Sequence, residues 1–281
     1  MDVRCAALSL ADAEPLAGTA PSETDWLFVE HPGSWGRRAV AESKLPDHVR
    51  EHLLGLADVR VQLVRRHGRE SEATGQVRVF TASFGEQAEV RSAVLDDVGD
   101  LPSLDLSDHT ALTSYDEPLW LVCTNGRRDV CCAEHGRPVA AALAARWPEA
   151  TWETTHLGGH RFSGTLLALP SGLTLGRLDA ESAVWACQEV EAGRVPERLT
   201  RGRAGRSGAE QVAELHLRAH LAGGDVTSLG RDGDAILVRA DGEQWRVVVE
   251  QTRGEPRHQS CGDDKLKAAT VYVVRSASRN W

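Results

Sequence analysis

Cys123-Thr-Asn-Gly-Arg-Arg-Asp-Val-Cys131-Cys132 and, further on, His156-Leu-Gly-Gly-His160 are the stretches around which the chain reads. The first holds three of the six cysteines; in the second, two histidines bracket a glycine pair. Thiolate sulfur and imidazole nitrogen are ligands that transition metals favour. The segment from 123 to 160 therefore reads as a metal centre, and the rest of the chain as its scaffold. Its flanks suggest a fold. Leu119-Trp-Leu-Val122 is a short apolar run that predicts a strand. Residues 138–147 predict a helix, with Pro138 near its first position and Pro148 just beyond its end. Residues 150–155 predict a second strand. Thiols between a strand and the following helix sit where a thioredoxin-like unit carries its redox cysteines.

Working outward, the N-terminal half has the same texture. Residues 1–24 are rich in Ala, Pro and Ser and read as a partly ordered lead-in. A strand is expected over 26–30, a helix over 46–57, and strands over 59–64, 77–80 and 90–95, with a polar connector over 67–75. Residues 96–116 are acidic and aperiodic and read as a linker. The run from Trp26 to Arg38 can be laid beside that from Trp120 to Arg128, which suggests a duplicated unit whose first copy lacks ligands. Beyond the centre, a hairpin is expected over 165–169 and 173–178. A helix follows over 179–191, with Asp179 as N-cap and Gly193 as its stop. Residues 194–208 read as an Arg/Gly-rich connector, 209–222 as a helix, and 235–239, 244–251 and 270–275 as strands. The expected fold class is α/β. The expected division is an N-terminal thioredoxin-like unit over 1–112, a ligand-bearing unit over 113–195 and an α+β extension over 196–281.

Composition narrows the function. The chain has 281 residues and is 41% hydrophobic, enough for ordinary cores. A formal net charge of -9 argues against a nucleic-acid partner, because neutralising phosphate needs a basic surface. No apolar run approaches the ~20 residues of a membrane span. The N-terminal apolar run meets Asp12 at once and makes a poor signal peptide. A cytoplasmic setting is expected, where clustered cysteines more often bind metal or do redox work than form disulfides.

Spacing alone selects no histidine pair, because His-x3-His occurs at His48/His52, His156/His160 and His216/His220. The first and last pairs fall on predicted helices with no cysteine nearby and read as solvated surface. The middle pair surrounds Gly158-Gly159, which suits a loop in which two rings can converge on one atom. Among the cysteines, the gap from Cys123 to Cys131 or Cys132 is loose for a zinc knuckle. Without Cys-x-x-Cys, ordinary dithiol chemistry is disfavoured. Cys5, Cys187 and Cys261 look isolated, Cys187 as a core residue and Cys261 as a free thiol.

Cys123-x8-Cys132 followed by His156-Leu-Gly-Gly-His160, with Gly-Arg-Arg-Asp between the cysteines and Arg-Phe after the second His, resembles the sucrase/ferredoxin-like family. The resemblance is clear over 120–178 and fainter around Arg4-Cys5-Ala-Ala-Leu-Ser. It implies a thioredoxin-like ferredoxin whose 2Fe–2S cluster is held by Cys123, Cys132, His156 and His160, with Cys131 as a neighbour. Arg127 and Arg128, with Gly158 and Gly159, would then surround the ligands. The implied role is an electron carrier rather than an enzyme. Its redox partner, a reductase or an acceptor enzyme, would be a separate protein, since no dinucleotide fingerprint follows a strand. Two other readings use the same residues: a structural or regulatory zinc protein, and a thiol-based thioredoxin-like reductase acting through Cys131 or Cys132. If the outer histidine pairs are surface, replacing His48, His52, His216 and His220 together by Gln should leave the metal content and visible spectrum of the purified protein unchanged. A bleached spectrum in folded protein would contradict that reading.

Overall fold

The computed structural model describes residues 4–68, 75–85, 88–221 and 226–279. Most of the connector expected over 67–75 lies outside them, at residues 69–74.

The ligand-bearing half is built on β6 (Leu119–Cys123), whose five residues are all buried. A strand covered on both faces can be apolar throughout, and β6 is. Trp120 and Val122 face a core with α3 (Val130–Arg146) and α4 (Ala180–Glu191). Leu119, Leu121 and Cys123 face a second core that contains Trp26, Phe28 and Trp152. Each large apolar side chain so buried contributes on the order of 1.5–3 kcal/mol. β6 runs parallel to β7 (Thr151–Thr154) and antiparallel to β8 (Leu166–Leu169), which pairs with β9 (Leu173–Leu175). The order β7-β6-β8-β9, with α3 crossing between the parallel strands and α4 following, is thioredoxin-like.

The N-terminal half repeats that topology. Its strands β1 (Asp25–Glu30), β2 (Val59–Arg66), β3 (Val77–Phe84) and β4 (Ala88–Leu95) lie in the order β2-β1-β3-β4. β1 and β2 are parallel and are joined through α2 (Asp47–Gly55). β2 and β7 then pair antiparallel, Val64 opposite Thr154, so both halves share one ten-stranded sheet. Short strands β5 (Thr113–Ser114) and β10 (Thr200–Arg203) form its edges. At the seam, Glu153 accepts from Arg65 at 2.7 Å and from Thr124 at 2.8 Å, and its other oxygen meets His67 Nδ1 at 2.9 Å. Burial alone would raise the Glu153 carboxyl, but Arg65 and these hydrogen bonds hold it below its usual range.

A second sheet runs in simple antiparallel order through β11 (Val226–Asp232), β12 (Ala235–Ala240), β13 (Glu243–His258) and β14 (Leu266–Arg279). α5 (Gly208–His220) packs across it through Ala209, Ala213 and Leu217, and a Ser207/Glu210 capping box starts the helix. β13 and β14 are longer than the strands expected over 244–251 and 270–275. Their extra length carries the loop between them back to the ligand-bearing half, where Ser260 and Cys261 reach Asp129.

The fold class matches expectation, and local corrections follow. The lead-in contains α1 (Cys5–Ala11), anchored by buried Cys5, Ala6 and Ser9. The presumed linker over 96–116 is fastened down: it forms a 3-10 turn over Val98–Ser103 and buries Leu101 and Leu112. The connector over 194–208 supplies β10. The helix expected over 138–147 begins at Val130, because the Asp129 side chain caps it by accepting from Cys131 N at 3.0 Å. Pro138 lies inside it. No helix among the described residues is long and apolar enough to cross a membrane.

α3 lies so close to the end of β6 that a Cβ at Gly136 would sit 2.0 Å from the Cys123 carbonyl oxygen. Neither backbone can yield without separating Cys132 from Cys123. Gly136→Ala should therefore lower unfolding free energy by about 2 kcal/mol, read as a lower urea midpoint. An unchanged midpoint would contradict this close approach.

Candidate metal centre

Cys123 closes β6; its N–H donates to Thr165 O at 3.0 Å. The chain then turns through Thr124 to Arg128 and enters α3, which puts Cys132 in the first helical turn. His156 follows β7, and its carbonyl accepts from Arg60 at 3.2 Å. Gly158 and Gly159 take φ of +88° and +67°, left-handed values that a side chain disfavours. A Cβ at Gly159 would also fall 2.6 Å from Arg201 Nη2. This glycine pair reverses the chain and returns His160 to His156.

The three ligand atoms of Cys123, Cys132 and His156 lie within 4.8 Å of one another. His156 Nδ1 is 3.6 Å from Cys132 Sγ and 3.9 Å from Cys123 Sγ. His160 Nδ1 approaches His156 Nε2 at 3.2 Å. Both cysteines are buried, and the His160 side chain is 15% exposed. The two thiols share one proton readily. Cys123 ionises first, because its thiolate accepts a hydrogen bond from Cys132, and His156 and the Leu157 N–H stabilise it further. Burial, and then His156 beside it, keep the His160 imidazole neutral to lower pH than usual. Its Nε2 faces Asp129 Oδ2 at 3.8 Å. A neutral ring with a carboxylate behind its outer nitrogen is the usual arrangement of a metal-ligating histidine.

Positive charge beside the site also comes from residues that the sequence left unmarked. Arg201, on β10, is buried and donates to Gly158 O at 3.0 Å and to Thr19 Oγ1 at 3.1 Å. Desolvation lowers it to about 9. Arg60, on β2, adds a second guanidinium next to the Gly158 loop. With Arg161 they line a cavity of about 290 Å³ beside Gly158 and Gly159. Of the expected pair, Arg127 is exposed and Arg128 is half-buried, with its charge reaching His160. Nothing local distinguishes Arg60 or Arg201 in the sequence: β2 pairs with β7, which leads into the His156 loop, whereas Arg201 reaches that loop by its side chain from the edge strand β10.

The remaining candidates separate clearly. His48 is exposed and bonds Gly99 O at 3.2 Å. His216 and His220 stack on the outer face of α5. Cys187 is core, as expected, and burial raises its thiol. Cys5 and Cys261 are not isolated: both lie against Cys131, on the opposite side of the α3 N-terminus from Cys132. Four residues, Cys5, Asp129, Cys131 and Cys261, form a second group with metal-ligating atoms close together.

Comparison with curated proteins and with solved structures finds no match. A protein-family model, sucrase/ferredoxin-like, matches residues 16–202, from just before β1 to β10. That span covers two-thirds of the chain and includes the whole Cys123–His160 site, so the chain belongs to the sucrase/ferredoxin-like family.

Proposed function

We propose that the protein is an electron carrier holding a 2Fe–2S cluster through Cys123, Cys132, His156 and His160. One observation carries this reading. Two thiols and an imidazole converge within 4.8 Å in a buried site, and a second imidazole stands at 3.2 Å from the first. The donor set fits a mixed thiolate–imidazole cluster, which would supply one-electron oxidation and reduction. Replacing two thiolates by neutral imidazoles makes the site less negative and raises its potential above that of an all-cysteine ferredoxin.

The chain's own groups tune the site in the same direction. Arg60 and Arg201 place positive charge on the backbone that holds the histidines. The Leu157 N–H points at Cys123 and stabilises its thiolate. Asp129 opposes them by placing a negative charge 3.8 Å from His160 Nε2. The electron donor and acceptor are separate proteins on this reading, and the setting is cytoplasmic.

Iron and acid-labile sulfide measured on anaerobically purified variants test the ligand set. Cys123→Ser and Cys132→Ser should lose both, whereas Cys131→Ser should retain them. Loss in Cys131→Ser with retention in Cys132→Ser would mean that the neighbouring cysteine is the ligand. A colourless wild-type protein carrying zinc at these residues would replace the electron-transfer reading with a structural one.

The potential should also depend on pH. The outward nitrogen of each ring holds its proton more weakly when the iron is oxidised, because iron(III) withdraws more electron density than iron(II). Reduction therefore favours proton uptake, and the potential falls as pH rises through the oxidised-state pKa values. The slope should approach about 59 mV per pH unit for one proton per electron. Protein-film voltammetry from mildly acid to alkaline pH reads this directly. A potential flat across that range would argue against histidine ligation.

A further inference from the structure

We propose that Cys5, Cys131, Cys261 and Asp129 form a second metal site, a structural zinc centre that fastens α1 and the β13–β14 loop to the start of α3. The three sulfurs form a compact triangle. Cys5 Sγ lies 3.7 Å from Cys131 Sγ, Cys131 Sγ lies 3.3 Å from Cys261 Sγ, and Cys261 Sγ lies 3.4 Å from Cys5 Sγ. At a Zn–S distance of about 2.3 Å, tetrahedral geometry sets thiolate sulfurs about 3.8 Å apart. The observed triangle needs only a small expansion to accept the ion. Asp129 Oδ1 lies 3.7 Å from Cys5 Sγ, and all four ligand atoms are within 4.8 Å of one another. Three soft thiolates and one carboxylate in a closed tetrahedral set suit zinc.

The bland alternative is that the cysteines are small apolar residues in a core. An apolar core does not itself gather three thiols around the α3 N-cap carboxylate, with Asp129 Oδ1 3.7 Å from Cys5 Sγ. A disulfide would join only two of three sulfurs and would require about 2.05 Å between them. The ligands also come from distant places: α1, the N-cap and first turn of α3, and the β13–β14 loop. Each place is independently fastened toward the site. Arg4, just before Cys5, makes a paired salt bridge to Glu134 on α3 at 2.6 and 2.8 Å. Asp129 Oδ2 accepts from Cys261 N and Ser260 Oγ, both at 2.9 Å. Cys5 and Cys261 both lie outside the residues matched by the family model.

Zinc binding would release the thiol protons and add folding free energy, because the site does not exist in the unfolded chain. It would hold Asp129, and through Asp129 the His160 ring. The site shares no ligand with Cys123, Cys132, His156 and His160, although Asp129 also faces the His160 ring.

The test is zinc and iron content of the full-length protein by elemental analysis. Wild type should carry one zinc in this site. Cys5→Ser and Cys261→Ser should each cut that zinc by at least about tenfold while leaving iron and the visible spectrum intact. Cys123→Ser should do the reverse and keep the zinc. Cys261 lies on a loop, so Cys261→Ser tests the site even if Cys5→Ser fails to fold. Cobalt(II) added to zinc-stripped protein should give intense thiolate charge-transfer bands in wild type and not in Cys261→Ser. The proposal is overturned if wild type binds neither ion, if Cys261→Ser retains full zinc, if Cys261→Ser removes iron instead of zinc, or if mass mapping finds a disulfide within the triad.

Discussion

The carboxylate of Asp129 is the point on which the site depends. One oxygen caps α3 by accepting from Cys131 N and faces Cys5 Sγ. The other accepts from the Cys261 N–H and the Ser260 hydroxyl and faces His160 Nε2. Burial alone would raise this carboxyl, but the Cys261 and Cys131 N–H groups and His160 hold it ionised. An N-cap is worth about 1 kcal/mol to its helix, but here the cap does more than start a helix. It decides that Cys131 and Cys132 fall in the first turn, where successive side chains point about 100° apart. One thiol therefore faces His156 and the other faces Cys5 and Cys261. The adjacent pair Cys131-Cys132 reaches two separate groups of candidate ligands because it is helical.

The second constraint is how near α3 comes to β6. Gly136 lets the helix backbone meet the Cys123 carbonyl, and the β6–β7 pairing then sets how far the His156 loop lies from Cys123. The sheet continues through β2 into a half that repeats the topology and carries no comparable cysteine–histidine group among its described residues. That half still acts on the site through Arg60, and β10 acts through Arg201. An acidic chain can thus place concentrated positive charge beside one loop.

What was legible in the sequence follows from range. β6 was readable because its burial on both faces leaves an uninterrupted apolar run. α4 was readable because Asp179 and Ser182 form a local capping box. The histidine loop was readable because a glycine pair suits the left-handed turn at Gly158 and Gly159; the four expected ligands came from the family resemblance, since spacing alone selected no histidine pair. α1 was not readable: it has seven residues, no side-chain cap and no acidic residue in its first turn. The start of α3 was misplaced because Pro138 is a conspicuous local signal, whereas Asp129 acts as a cap only once the chain has turned after Cys123. Cys5 and Cys261 looked isolated because their contacts span more than a hundred residues and are made by the return of the long β13–β14 hairpin. No pattern within a window of ten or twenty residues encodes such a contact.

The central claim is that two cysteines and two histidines hold one redox-active cluster. Pulsed electron paramagnetic resonance of the dithionite-reduced protein tests it most directly, because it detects nitrogen nuclei bound to the spin-bearing iron. The account predicts a signal from a reduced 2Fe–2S centre with strong coupling to two imidazole nitrogens, one of which disappears in each of His156→Cys and His160→Cys. A reduced cluster with no strongly coupled nitrogen, or a protein that gives no such signal when fully loaded with iron and sulfide, would contradict it.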